Sequence, residues 1–329
     1  MNEERTALIG EKKELFRNEQ PWEANLVEGV SMIKHGDYFY AFYAAAGCCG
    51  PGCTYVSGVA RSKSLFGPWE KYNKNPILVS NERWKCPGHG TPVEKGGKFY
   101  FLYHGYDAKS GAFAGRQGLL QEFTFTSDGW IQFMDTASDK SAIVPLSISD
   151  EFKGRGLSEL WQWSVFQNLN YKLTKGSLEL SALPVVSGAY IGQKTYTADY
   201  TADAVVSAAK STAESGIAAI GDDNNIVTMS VAGDTLRLSV IKGGNAVFMM
   251  EKTVKTGDKL HLRMQVKNGK DITFLYSTTG KDFKVFNDEV IDATFLPPWD
   301  RAIRAGLVSK GTTDKKAVIE SFSLKSVAE

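Results

Sequence analysis

The sequence predicts an all-β protein in two parts: antiparallel, propeller-like blades over 1–145, then a β-sandwich over 146–329. Three observations predict it. Short aromatic or β-branched runs recur, bounded by Gly, Pro, Asn or Asp. Glycine-bearing turn signals separate them, and Gly is plentiful at 32 residues. No long segment keeps the 3.6-residue apolar period of a helix.

The first part shows the runs "DYFYAFYAA" (37–45), "TYVSGVARS" (54–62), "KFYFLYHGY" (98–106) and "LLQEFTFTSDGW" (119–130). Two longer segments, "SMIKHGDYFYAFYAA" and "TPVEKGGKFYFLYHG", share one grammar: apolar strand, tight turn, aromatic strand. Their tips are "KHGD" and "EKGGK", and Tyr38 and Phe99 mark a repeat of about 61 residues. A repeated antiparallel unit at this spacing points to propeller blades. A polar stretch, "TASDKSAIVPLSISDEF" (136–152), then reads as a linker. From about 148 the strands are shorter and less aromatic, as in "GSLELSA", "YTADAVVSA", "DTLRLSVI" and "KLHLRMQV". Turns between them at roughly ten-residue spacing are the sandwich signature.

Composition excludes some functions. Lys plus Arg is 38 against 37 for Asp plus Glu, so nothing electrostatic calls for nucleic acid or an anionic membrane. No apolar run approaches the roughly 18 residues of a spanning helix. The first twenty residues, "MNEERTALIGEKKELFRNEQ", lack the apolar core of a secretory signal. Aromatics at 12% suit stacking on sugar rings, although strands favour aromatics for their own reasons.

An ordered set of motifs resembles glycoside hydrolase family 43, the five-bladed propeller enzymes. "WEANLVEGVSMIKHGDYFYAFYAA" is similar to the family's third-blade region, with Glu28-Gly29-Val30 where a Glu-Gly-Pro supplies the general acid. "GVARSKSLFGPWEKYNKNPIL", "GHG" (88–90), "FYFLYHGY" and "GRQGLLQEF" follow in the family's order. From 148, "DEFKGRGLSELWQW", "GSLELSA" and "FLPPWDRAIRAGL" resemble the concanavalin or jelly-roll-like sandwich that accompanies such propellers. The resemblance implies inverting hydrolysis of arabinose- or xylose-containing polysaccharides such as arabinan, arabinoxylan or xylan. It implies Glu28 as general acid, Arg116 as a pocket residue, and His89 near the propeller axis, where calcium is often held. His104 and Trp22 are candidate pocket-liners, each also readable as packing.

Besides Val30 in place of Pro, the chain departs from the family in a larger respect. The base and the pKa-tuning aspartate lie in earlier blades, but only 27 residues precede Glu28, and none is Asp. Asp37 and Asp107 sit in a hairpin turn and at a strand end. The expectation is therefore roughly the last half of a propeller, inactive alone, completed by an N-terminal fragment or by self-association. A secreted or periplasmic setting is expected from the substrates of the family. The alternative is a non-catalytic glycan-binding or structural module.

Cys48, Cys49, Cys53 and Cys86 cluster in "CCGPGC" and "KCPGHG". A zinc site using Cys residues with His89 is one reading. Placed on the propeller, the cysteines fall in neighbouring loops and read as disulfides. Three pairings exist, and a bridge from Cys86 to the 48–53 loop is preferred. In the second part, "GDDNN" (221–225) is either a polar hairpin turn or an oxygen-lined cation loop. Trp161, Trp163 and Trp299 form either a sugar platform or packing.

Overall fold

The computed structural model describes residues 1–134 and 146–327. The described residues form strands, turns and two short 3-10 turns, with no α-helix among them. Most of the expected linker, and the expected boundary at 145/146, lie outside the described residues. Two compact units form. One holds Met1–Ala108 and the chain from Gln117. The other holds Lys109–Arg116 and the chain after the linker. The segment Lys109–Arg116, inside the first part on sequence grounds, thus groups with the second.

In the first unit two four-stranded antiparallel meanders follow each other. β1 (Val27–His35), β2 (Tyr38–Ala45), β3 (Val56–Ser62) and β4 (Glu70–Lys71) pair in sequence order. β5 (Trp84–Lys95), β6 (Lys98–Asp107), β7 (Gln117–Phe125) and β8 (Ile131–Phe133) do the same. Both expected hairpins are present, closed by the pairs His35–Tyr38 and Lys95–Lys98. By this pairing Tyr38 corresponds to Lys98, one residue before the Phe99 that the sequence repeat suggests.

Alternation along β2 sends Tyr40 and Phe42 to one face, where they join Phe101, Phe123, Trp130 and Ile131 of the second meander in one core. The Phe42 ring lies 4.9 Å from Phe101 and 5.4 Å from Phe123. Full burial of one such side chain contributes about 1.5–3 kcal/mol, so this aromatic seam joins the two blades. Tyr43, on the opposite face of β2, packs with Phe16 and Trp22.

The second unit is a sandwich of two large antiparallel sheets, as expected. One runs through Ala189–Lys194, Arg304–Lys310, Glu214–Asp222, Asn225–Ala232, Thr235–Lys242 and Asn245–Thr253. The other is centred on Tyr200–Val206, flanked by Lys316–Ser326 and Leu260–Lys267. Inward residues of both sheets, including Ala202, Leu262, Met264, Phe274, Ile217, Met229 and Leu307, are fully buried between them. Trp161 is 4% exposed within this core, so it cannot serve as a sugar platform.

Candidate active site

The site is built on bulges in the first strand of each blade. In β1 the register slips between Glu28, opposite Ala44, and Ser31, opposite Phe42. Two residues, Gly29 and Val30, therefore face Tyr43 alone. Gly29 opens the bulge at φ +62°, a conformation that L side chains resist. In β5 two slips bracket Gly88, which pairs with His104. Each opens on a residue at positive φ, Cys86 at 54° and His89 at 51°. Such strain in non-glycine residues persists only where the surroundings enforce it, and it concentrates at functional sites.

The bulges meet. A Cβ on Gly29 would stand 3.0 Å from the His89 ring, a tight approach added to the conformational demand for glycine. A Cβ on Gly88 would lie 2.4 Å from the Tyr55 ring. Tyr55 is thus seated in the gap left by Gly88. From there its hydroxyl donates to Glu28 Oε1 at 2.5 Å and lies 3.5 Å from His89 Nδ1. Its ring stacks nearly parallel on His104, 5.8 Å between centroids. Glu28 is half-buried, Tyr55 is 1% exposed, and His89 is exposed.

Glu28, His89 and His104 are therefore gathered around Tyr55, which sequence reasoning missed. Tyr55 belongs to no strand and has no motif of its own. Its one signal was its place two residues after Cys53, in the loop facing the "GHG" segment.

The cysteines explain how that loop is held. Cys53 is bonded to Cys86, and Cys48 to Cys49. The preferred bridge from Cys86 to the 48–53 loop is thus present, and no cysteine is left to hold zinc. Cys53 precedes Tyr55 by two residues and Cys86 precedes His89 by three. The bridge ties together the two backbone segments that position these side chains. The loop is closed further by paired backbone and side-chain bonds between Gly47 and Thr54.

Trp22 stacks on Tyr43 and fills the space over Gly58, a packing role. Arg116 is half-buried in the segment that groups with the second unit, next to Gly115, which bridges Arg301. Asp37 is exposed in its hairpin turn, and Asp107 is buried in an ion pair with Arg83 at 3.1 Å. Trp299 stands edge-on to Phe113. "GDDNN" is a hairpin turn: Asp222 caps the Asn224 amide, and Asp223 accepts bonds from Ser164, Gln167 and Tyr190.

Calcium takes six to eight oxygen ligands. Among the described residues, no group of three or more His, Cys, Asp or Glu converges to hold a metal. His89 brings a nitrogen, beside a tyrosine hydroxyl and a glycine. The residues present do not fit calcium at His89.

Glu23 is a second carboxylate missed by sequence reasoning. It is fully buried in the turn Pro21–Glu23, yet charged. Burial alone would raise its pKa. The Gln20 amide, the Lys71 ammonium at 2.9 Å, the Tyr43 hydroxyl and the Glu19 amide outweigh this and hold it below the ordinary carboxylate range. The same carboxylate, together with burial, pushes the Tyr43 phenol far up. This ion pair anchors the chain just ahead of β1, where Ala46 also donates to the Glu23 and Leu26 carbonyls.

Comparison with known proteins agrees with this architecture. Residues 1–131 match the model of glycosyl hydrolases family 43, and residues 149–298 that of the beta xylosidase C-terminal concanavalin A-like domain. The non-reducing end alpha-L-arabinofuranosidase BoGH43B of Bacteroides ovatus is 26% identical over 260 residues, 69% of this chain and 46% of that protein. The extracellular exo-alpha-(1->5)-L-arabinofuranosidase ArbA of Cellvibrio japonicus is 32% identical over 91 residues, 25% of this chain and 26% of that protein. The chain thus spans less than half the length of these two relatives. In fold, it resembles the family 43 protein BlXynB of Bacillus licheniformis, with a TM-score of 0.79 at 20% identity over 99% of this chain and 70% of that one. It likewise resembles a xylan beta-1,4-xylosidase of Bacillus halodurans, with a TM-score of 0.75 at 17% identity over 96% and 68%. Residues 1–131 are thus identified with glycosyl hydrolases family 43, and residues 149–298 with the concanavalin A-like domain that follows in beta xylosidases.

Proposed function

We propose that this chain is the proton-donating part of an inverting glycoside hydrolase acting on arabinose- or xylose-containing polysaccharides such as arabinan, arabinoxylan or xylan, with Glu28 as general acid. The observation that carries the proposal is the Tyr55 hydroxyl bonded to Glu28 Oε1 on a strained bulge, within the region matching the family. With Oε1 held, Oε2 carries the proton to the departing glycosidic oxygen. Inversion further needs an ionised carboxylate about 6.5–9.5 Å away to activate water. Residues 1–27 hold no Asp, Asp37 is in an exposed turn, and Asp107 is engaged by Arg83. We assign the base and the pKa-tuning carboxylate to an N-terminal propeller segment outside this chain. The names of the relatives support the substrate class, and two disulfides suit a secreted or periplasmic setting. No metal enters the scheme.

The test is hydrolysis of arabino- and xylo-oligosaccharides by the chain alone and by the chain mixed with an N-terminal propeller segment. Turnover is expected only in the mixture, falling about 10²–10⁴-fold in Glu28→Gln, as for loss of a general acid. Full activity in Glu28→Gln would refute the assignment. Robust hydrolysis by the wild-type chain alone would show that the base lies within it.

A further inference from the structure

One sheet of the sandwich ends on the strand Asn245–Thr253, which pairs along one edge with Thr235–Lys242. Among the described residues no strand takes its other edge. A bare sheet edge offers a row of backbone donors and acceptors to another strand, and natural edges are guarded by charge or proline. The middle of this edge is apolar. Val247, Phe248 and Met249 follow one another and are 51%, 57% and 52% exposed.

The two faces of the strand differ. Met250 pairs with Leu238 and Val247 with Val240, so both turn to the side on which Leu238 and Val240 enter the sandwich core. There they line a cleft of about 640 Å³ together with Met249, Val290 and Phe295. Phe248 pairs with Ser239 and turns to the other side. The cleft carries Asp288, Glu289 and Asp292 against Lys242 alone, an excess of negative charge. On the strand and just beyond it, Lys252 and Lys255 are exposed, while Glu251 is taken up by Arg237.

The pairing register makes this strand complementary to itself. It slips at Met249: Leu238 faces Met250, but Ser239 faces Phe248. Side chains alternate between faces on each side of the slip and not across it. A two-fold axis between Phe248 and Met249 lays a second copy antiparallel on the bare edge. Val247 then stands opposite Met250, and Asn245 opposite Lys252, all on the cleft face. Ala246 stands opposite Glu251 on the other face. Residues opposite each other in an antiparallel ladder point to the same side, and every pair flanking the slip obeys this. An axis through Met249 itself would set Val247 against Glu251, on opposite faces. At the chosen axis Phe248 meets its own counterpart on one face, and Met249 meets its own in the cleft. Lys252 of each copy faces the cleft of the other, with its excess of carboxylates.

We propose that the Asn245–Thr253 edge is the interface of a homodimer, in which a second copy of this chain continues the sheet across a two-fold axis between Phe248 and Met249. Such an interface uses the same patch on both copies, so it closes at two. It goes beyond the proposed hydrolysis and uses neither Glu28 nor Tyr55.

The test is sedimentation velocity of the whole chain over a concentration series, with circular dichroism on each variant. A species of twice the chain mass that dissociates on dilution is expected. Phe248→Lys/Met249→Lys, at exposed positions, gathers like charges at the axis and is expected to raise the dissociation constant on the order of a hundredfold or more. After mild oxidation, Met249→Cys is expected to give a covalent dimer on a non-reducing gel. Thr253→Cys is expected to give none, because its counterpart lies about 30 Å away at about 3.3 Å per residue. A monomer at every concentration would overturn the proposal. So would a dimer that survives Phe248→Lys/Met249→Lys, which would place the interface elsewhere. Equal cross-linking of the two cysteine variants would overturn the register and with it the two-fold axis.

Discussion

Tyr55 and Glu28 lie 27 residues apart in sequence, yet the hydroxyl of one donates to the carboxylate of the other at 2.5 Å. The tyrosine ring is fixed on three sides, by His104, by the gap over Gly88, and by the Cys53–Cys86 bridge two residues upstream. Tyr55→Phe keeps the ring and removes only the donor. A hydrogen bond to the charge that develops on Glu28 as its proton leaves contributes about 1.5–3 kcal/mol, so turnover by the completed enzyme is expected to fall about 10–100-fold. Steady-state kinetics, with circular dichroism showing an intact fold, checks this; unchanged turnover would mean that Tyr55 is only a packing residue.

Gly88→Ala tests the seat of Tyr55. The new methyl would meet the ring at 2.4 Å. Overpacking of this kind costs about 1–3 kcal/mol. The expected result is a lower midpoint in urea together with a loss of activity close to that of Tyr55→Phe. The double variant Gly88→Ala/Tyr55→Ala should recover stability relative to the sum of the single changes.

Glu23 gives the fold a defined acid sensitivity. Its pKa is depressed in the folded state by the Gln20 amide, Lys71 and Tyr43 acting against burial. The carboxylate therefore stabilises the fold fully above the unfolded value of about 4.3. That contribution is lost as pH falls through the lower, folded pKa. Urea unfolding followed as pH falls below about 4.5 should show a slope that Glu23→Gln reduces. At neutral pH Lys71→Met, which strands the buried carboxylate, is expected to cost about 3–5 kcal/mol.

Cys53→Ala/Cys86→Ala removes a cross-link between residues 33 apart in sequence. Loss of about 2–4 kcal/mol is expected, most of it through the unfolded chain. Peptide mapping under non-reducing conditions should recover Cys53 joined to Cys86 and Cys48 joined to Cys49. A different pairing would contradict the arrangement of the Tyr55 loop.

Much of this was legible in the sequence because it is local. Two-residue tips between an apolar and an aromatic run marked both hairpins, since turn chemistry fixes register over a few residues. Glu28 was legible because Glu28-Gly29-Val30 resembles the family's Glu-Gly-Pro, and Cys86 because it lies at the entry to the second blade. What stayed hidden depends on long-range placement. Tyr55 acts only because Gly88 and Cys86, some thirty residues on, make room for it and hold its loop. Glu23 reads as a surface charge until Lys71 folds over it. The three tryptophans of the second half look alike in sequence, yet Trp161 is core, Trp163 lines a cleft, and Trp299 meets Phe113.

The Cys53–Cys86 bridge also changes what a protease can do to this protein. Asn81 and Glu82 are exposed in the connection between the two blades, an inviting place for cleavage. The bridge spans that connection, so a cut there leaves a nicked molecule whose halves stay covalently joined and share one aromatic seam. Under oxidising conditions such a nick would be silent in size-exclusion chromatography. Only a reductant combined with a denaturant would resolve the two pieces.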